Sequence, residues 1–235
     1  GILEYDKNHI VSFHPAGGNS STDFFNDYEW LDYNMVQVFS PDSPKSYSLM
    51  HSDYAKLPTR PLILIEPCYE DNGNNTTYQV RRAISWGITS GGFGMAYGSK
   101  NVYKYIPPDW KEMMDRPAFN QFVKIAGMIK SRAWHKLEPD VSSKLIRIGQ
   151  MKYGSVDYAS ASIASDGSFA IAYIPTSRKI TIDMSIFNGK KTVKWYDPTN
   201  NTFETVGVYE NSGVHSIPAR PANADGEGDW YLIIE

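Results

Sequence analysis

Strand-like and helix-like segments alternate four times along the first half of the chain, and from about Glu138 onward the period drops to two. No other feature restricts the fold as strongly, because strand-helix alternation calls for a parallel sheet and short alternating strands for an antiparallel one. HIVSFHPAG (9–17) reads as a short buried strand, and SSTDFFNDYEWL after it opens with Ser20 and Ser21 as helix-cap candidates. NMVQVFSP (34–41) is a second strand, and in SPKSYSLMHSDYAKL (43–57) Tyr47, Met50, Tyr54 and Leu57 recur at helical spacing. PLILIEP (61–67) is a continuous aliphatic run of the parallel-sheet kind, and 77–90 follows as a helix stopped by Gly91-Gly92. GGFGMAYGS (91–99) reads as a fourth strand, and 119–133 as a helix with Phe122, Ile125, Met128 and Ile129 on one side.

Six segments carry the second half: SVDYASASIA, GSFAIAYIP, KITIDMSI, KTVKWYDP, TFETVGVY and DWYLIIE. Asp166-Gly167, Asn188-Gly189 and Pro198-Thr199-Asn200 separate some of them as hairpin or turn signals, which predicts a small antiparallel β-sandwich. Four βα units are half of an eight-unit barrel. A doubly wound sheet would instead carry a glycine-rich phosphate loop between an early strand and a helix, whereas Gly91-Gly92-Phe93-Gly94 precedes a strand. The expected architecture is therefore α/β plus all-β: residues 1–138 as the second half of a (β/α)8 TIM barrel (strands 5–8), and 139–235 as the β-sandwich.

Composition excludes several function classes. With 23 basic against 26 acidic residues the net charge is -3, which does not suit a nucleic-acid binder, and the longest apolar run, Pro61 to Pro67, is too short to cross a bilayer. One cysteine, Cys68, rules out an internal disulfide framework and a cysteine-built zinc site. The five histidines show no metal-ligating spacing and no nucleotide fingerprint is present, so neither a metal nor a cofactor is expected. Sixteen Tyr and six Trp lean towards a carbohydrate-related protein, since flat amphipathic rings stack on sugars.

In a βα barrel the chemistry sits at the C-terminal ends of the strands. Glu66 is the foremost catalytic candidate, because a carboxylate ends an aliphatic strand and Pro67 holds the backbone extended there. The competing reading is a buried ion pair with Arg60, Arg81 or Arg82. His14 and Gln37 end neighbouring strands and, with Tyr69, Tyr97 and the loop residue Trp110, are the substrate-binding candidates, whereas Trp86 reads as core. Glu70 and Asp71 read as solvated loop acids and Cys68 as a packed small side chain. Asp225, Glu227 and Asp229 alternate in an acidic loop that reads as a solvated turn, with calcium as the other possibility.

SFHPAGGNSS, WLDYNMVQ, PLILIEPCYE, RRAISWGITSGGFGMAYG, SRAWHKLEPD and the closing DWYLIIE occur in the order and at roughly the intervals of the apiosidase-like bacterial glycoside hydrolases, which the chain resembles over nearly its whole length. The resemblance implies a barrel glycosidase of retaining type with a small β domain labelled collagen-binding. It also implies that PLILIEP is strand seven and Glu66 the nucleophile, while the strand-four acid/base carboxylate has no counterpart in the sequence. Where family members often carry histidines, this chain has Ser40 and Met95. The partners so implied are an oligo- or polysaccharide substrate and the N-terminal half of the same barrel, as an upstream segment or a separate chain, in a periplasmic or extracellular setting. The rival expectation is a non-catalytic carbohydrate- or matrix-binding fragment.

Overall fold

The computed structural model describes residues 1–108 and 110–235. In chain order its first half comprises α1 (Ile2–Tyr5), β1 (Asn19–Ser20), α2 (Thr22–Phe25), β2 (Asn34–Gln37), α3 (Lys45–Tyr54), β3 (Leu62–Glu66), β4 (Tyr69–Glu70), α4 (Thr77–Thr89), β5 (Gly94–Met95), β6 (Gly98–Ser99) and α5 (Pro117–Lys130). The main sheet has the order β1-β2-β3-β5. Its β2, β3 and β5 are parallel, and β4 and β6 form a second parallel pair just beyond β3 and β5. Val36, Leu62 and Leu64 are buried with Met50 of α3 on the helix-covered face. Met35 and Ile63, of the opposite parity, are only half-buried.

Two expectations for this half change. Residues 9–17 form no strand: Val11 is tied to residue 32 by its N–H to the Asp32 carboxylate (2.6 Å) and by its carbonyl to the Asp32 N–H (2.9 Å). Pro15 has no N–H to give a ladder, and Ile10 is exposed. The segment 91–99 is two short strands, β5 and β6, rather than one, each pairing with a different piece of the chain around Glu66. Elsewhere local chemistry acts as expected: Thr76 and Gln79 form a capping box at the start of α4, and Gly91, at φ 98°, turns the chain at its end.

The second half comprises β7 (Leu137–Pro139), β8 (Ile146–Ile148), β9 (Ser160–Ala164), β10 (Ala170–Ile174), β11 (Ile180–Asp183), β12 (Lys191–Asp197), β13 (Thr202–Tyr209), β14 (Val214–Ile217) and β15 (Trp230–Ile234). A six-stranded sheet, β13-β12-β15-β10-β9-β7, faces a three-stranded one, β14-β11-β8. Each pairing is antiparallel. Ala172, Ile182, Trp195 and Leu232 fill the space between them. The Asn188-Gly189 turn is not a hairpin, because it carries the chain from β11 in one sheet to β12 in the other.

The central strands β10 and β15 of the six-stranded sheet are buried on both faces, while the edge strand β13 is largely exposed. The sheet's outer side chains, Ile171, Tyr173, Tyr196, Tyr231 and Ile233, pack with Trp86 of α4 and Ile125, Met128 and Ile129 of α5. Each such side chain is worth roughly 1.5–3 kcal/mol when buried, so separating the halves would expose a core and not a surface contact. A polar clamp crosses the same boundary. Arg81 donates from Nε and Nη2 to the two Asp229 oxygens (2.8 and 2.6 Å) and from Nη1 to Gln121 (2.7 Å). Asp229 also accepts from the Tyr173 hydroxyl (3.0 Å) and Asn223 (2.7 Å). The acidic loop is a solvated turn only at its tip: Asp225 is exposed, though it accepts from Gln121 at 2.7 Å, whereas Asp229 is fully buried.

Candidate active site

β3 runs between Pro61 and Pro67, and its aliphatic residues set it as an interior strand of the main sheet. Strict alternation would put Glu66 on the face of Leu62 and Leu64, under the helices. The β2–β3 register shifts by one residue after Val36, however, so that Val36 pairs with Leu64 and Gln37 with Glu66. Such a bulge re-aims the side chain that follows it, and Glu66 turns to the half-buried face. The Val38 and Phe39 N–H groups both donate to the Glu66 carbonyl (2.9 and 3.3 Å), which fixes the backbone at this point.

The Glu66 carboxylate is 12% exposed. Gln37 Nε2 donates to its Oε2 at 2.8 Å, and His14 Nε2 lies 3.2 Å from the same oxygen while its ring stays half exposed. The Tyr69 phenol neighbours the same carboxylate. Burial first, and the nearby Glu66 carboxylate second, push the Tyr69 phenol up to about 12, so it stays protonated at neutral pH. None of the arginines weighed as ion-pair partners reaches Glu66. Arg81 is held by Asp229, Arg82 by Asp42, and Arg60 by the Asn26 and Tyr28 carbonyls. His14, Gln37, Tyr69 and Glu66 thus converge at one point.

Tyr97 and Trp110 are placed otherwise. The Tyr97 hydroxyl donates to Glu70 Oε2 at 2.6 Å, and burial together with that carboxylate raises its pKa far above the ordinary phenol range. Trp110 lies in the loop after β6, edge-on to Tyr105 at 5.3 Å. Glu70 is not a solvated loop acid: it is fully buried and also accepts from Thr77 Oγ1 (2.7 Å) and the Ala118 N–H (3.2 Å), tying β4 to the starts of α4 and α5. Asp71 is paired with Arg116 at 2.7 Å. Cys68 is buried, and burial pushes its thiol up to about 12, which leaves no thiolate for chemistry at neutral pH. Ser21 stands at the N-cap position of α2, but its side chain caps nothing there and its Oγ accepts from the Met35 N–H at 3.0 Å instead. The Ser20 hydroxyl donates to Asp53 and accepts from the Thr22 N–H (3.3 Å) at the start of the helix.

One residue of the site carried no signal in its type. A Cβ on Gly98 would sit 2.3 Å from the Tyr69 ring, so only glycine lets β6 pass over it. A second, Phe39, stands in the left-handed region at φ 61°, rare for a bulky side chain.

Residues 1–136 match the family model described as "Apiosidase-like, catalytic domain", which is more than half of the 235-residue chain. The chain belongs to the apiosidase-like family. Residues 145–235 match a second model, "Putative collagen-binding domain of a collagenase". Among solved structures, a glycoside hydrolase family 5 protein from Bacteroides vulgatus is 26% identical with a TM-score of 0.87, covering 99% of this chain and 56% of that one. Another, described as a glycoside hydrolase, is also 26% identical with a TM-score of 0.84, over 99% of this chain and 59% of its own. This apiosidase-like chain therefore spans between half and two thirds of the length of both structures. A search of curated proteins gives no match. Among the described residues no helix is long and apolar enough to cross a membrane.

Proposed function

We propose that this chain carries the nucleophile half of a retaining glycosidase, with Glu66 as the attacking carboxylate. The observation that carries the reading is the setting of Glu66: it ends an interior parallel strand, is turned by a bulge to the face away from the helices, and has Gln37 and His14 as neighbours but, among the described residues, no arginine or lysine. Parallel strands covered by helices on one face only are what a segment of a (β/α)8 barrel presents, since a doubly wound sheet is covered on both. On this reading residues 1–138 are barrel strands five to eight and 139–235 a β-sandwich that braces them. The half-buried Met35 and Ile63 then belong to a barrel interior completed by a preceding segment of the polypeptide or by a separate chain.

The substrate is a glycan, as expected of a glycoside hydrolase family, cleaved at a side chain of a larger polysaccharide. Glu66 attacks the anomeric carbon as the bond to the leaving oxygen breaks. A second carboxyl group, from the completing half and about 5–5.5 Å away, protonates that oxygen. Water, deprotonated by that same second group, then displaces Glu66 and restores it as a carboxylate. Gln37 and Tyr69 keep the carboxylate oriented, and His14 faces the sugar hydroxyls from the exposed side.

The test uses the polypeptide that carries the complete barrel. Glu66→Gln abolishes glycan release, and Glu66→Ala supplied with sodium azide regains turnover with a glycosyl azide as product. Full activity in Glu66→Gln would overturn the assignment.

A further inference from the structure

The bond that ties Phe39 to the site also fixes an aromatic wall beside it. Phe39 follows the bulge, and its N–H donates to the same Glu66 carbonyl as that of Val38. A phenylalanine held at φ 61° costs conformational energy that the fold must offset elsewhere, and such residues cluster at binding and catalytic sites. Burial offsets only part of that cost, since Phe39 stays 49% exposed. Gly17 makes room for it, because a Cβ there would lie 3.2 Å from the Phe39 Cβ. The ring meets Tyr69 edge-on at 5.9 Å, and on Tyr69 a second ring, Tyr103, packs at 5.2 Å while staying 52% exposed. Phe39, Tyr69 and Tyr103 are thus continuous, and the middle ring follows Glu66, the last residue of β3, by three residues. Exposed aromatic faces next to a carboxylate that no arginine or lysine of the described residues pairs with suit the apolar C–H faces of sugar rings.

We propose that Phe39 and Tyr103, flanking Tyr69, form a stacking subsite for sugar residues of the polysaccharide adjoining the unit that Glu66 attacks. The assignment rests on the glycan reading of the site but not on Glu66 being the nucleophile. It is tested by binding without turnover, in the complete-barrel polypeptide carrying Glu66→Gln. Migration is followed in native gels containing dissolved pectin, arabinogalactan or mucin. At least one polysaccharide retards the protein, and Phe39→Gly and Tyr103→Ala each weaken that retardation about tenfold in Kd. Because glycine suits the backbone at position 39, Phe39→Gly keeps or raises the melting temperature while losing the ligand, which a merely structural role would not give. Phe24→Ala, which removes an exposed ring from a different aromatic cluster, leaves retardation unchanged. Retardation by none of the three, equal retardation of all variants, or an equal loss in Phe24→Ala would overturn the subsite. Residual hydrolysis by Glu66→Gln would instead count against the nucleophile alone.

Discussion

Replacing Asp229 by alanine removes the fully buried carboxylate that anchors the boundary between the two halves, leaving Arg81 only the more exposed Asp225 at 3.3 Å. Arg81 is 1% exposed in its side chain and Asp229 0%, and they are joined by two bonds of 2.6 and 2.8 Å. The substitution strands the guanidinium on two of its nitrogens and leaves Tyr173 without its acceptor, while Asn223 keeps only the residue-229 carbonyl (3.1 Å). Breaking a buried pair from one side costs about 3–5 kcal/mol, and the surviving contact to the more exposed Asp225 puts this case at the lower end, about 3 kcal/mol. For a chain of this size each kcal/mol lowers the melting temperature by roughly 2–4 °C, so a drop of about 10 °C is expected. Arg81→Met alone should cost a comparable amount. The double variant Arg81→Met with Asp229→Leu should be markedly more stable than the sum of the single losses implies, since no charge is left buried. Thermal unfolding by circular dichroism measures all three. A loss below about 1 kcal/mol in Asp229→Ala, or strict additivity in the double variant, would refute the idea that this pair holds the boundary.

Two further perturbations follow from buried groups. His51 is packed against Tyr47 and Tyr153, and burial lowers its pKa from 6.5 to about 4. Above pH 6.5 it is neutral whether the chain is folded or not, but between 6.5 and about 4 the unfolded chain binds a proton that the folded one refuses. Stability present above 6.5 is therefore lost as the pH falls, by on the order of 3 kcal/mol. His51→Gln should remove that part of the slope, and an unchanged slope in denaturant titrations at pH 7 and 4.5 would contradict it. Gly98→Ala forces a methyl against the Tyr69 ring 2.3 Å away. Moving Tyr69 off Glu66 should lower kcat of the complete enzyme about 10- to 100-fold, and wild-type kcat with a folded protein would contradict that.

Much of the scaffold was legible in local chemistry. The aliphatic run between Pro61 and Pro67 marked β3, the spacing after Thr76 and the glycines at 91–92 bounded α4, and the six apolar or alternating segments became β9 to β13 and β15. The double-sided burial of β10 and β15 also had a signal, since AIAYI and WYLII are apolar without interruption, as strands covered on both faces are. What escaped depends on distance along the chain. Arg81 could not be matched from sequence to a partner 148 residues away, and the acidic loop then read as solvated. Glu70 likewise gains its burial from Thr77, Tyr97 and Ala118, which only the folded chain brings together. At the site, the residue type at 66 was informative but its direction was not. A one-residue register shift decides which face a strand residue takes, and no residue in LILIE announces it.

The most direct test of Glu66 is to trap the bond it is proposed to form. The complete-barrel polypeptide is incubated with a 2-deoxy-2-fluoro glycoside of the released sugar, digested, and sequenced by mass spectrometry. A retaining nucleophile at this position gives a glycosyl adduct on Glu66, within the peptide spanning Leu62 to Glu70. An adduct on a different carboxylate, or no adduct together with a product of inverted anomeric configuration, would contradict it.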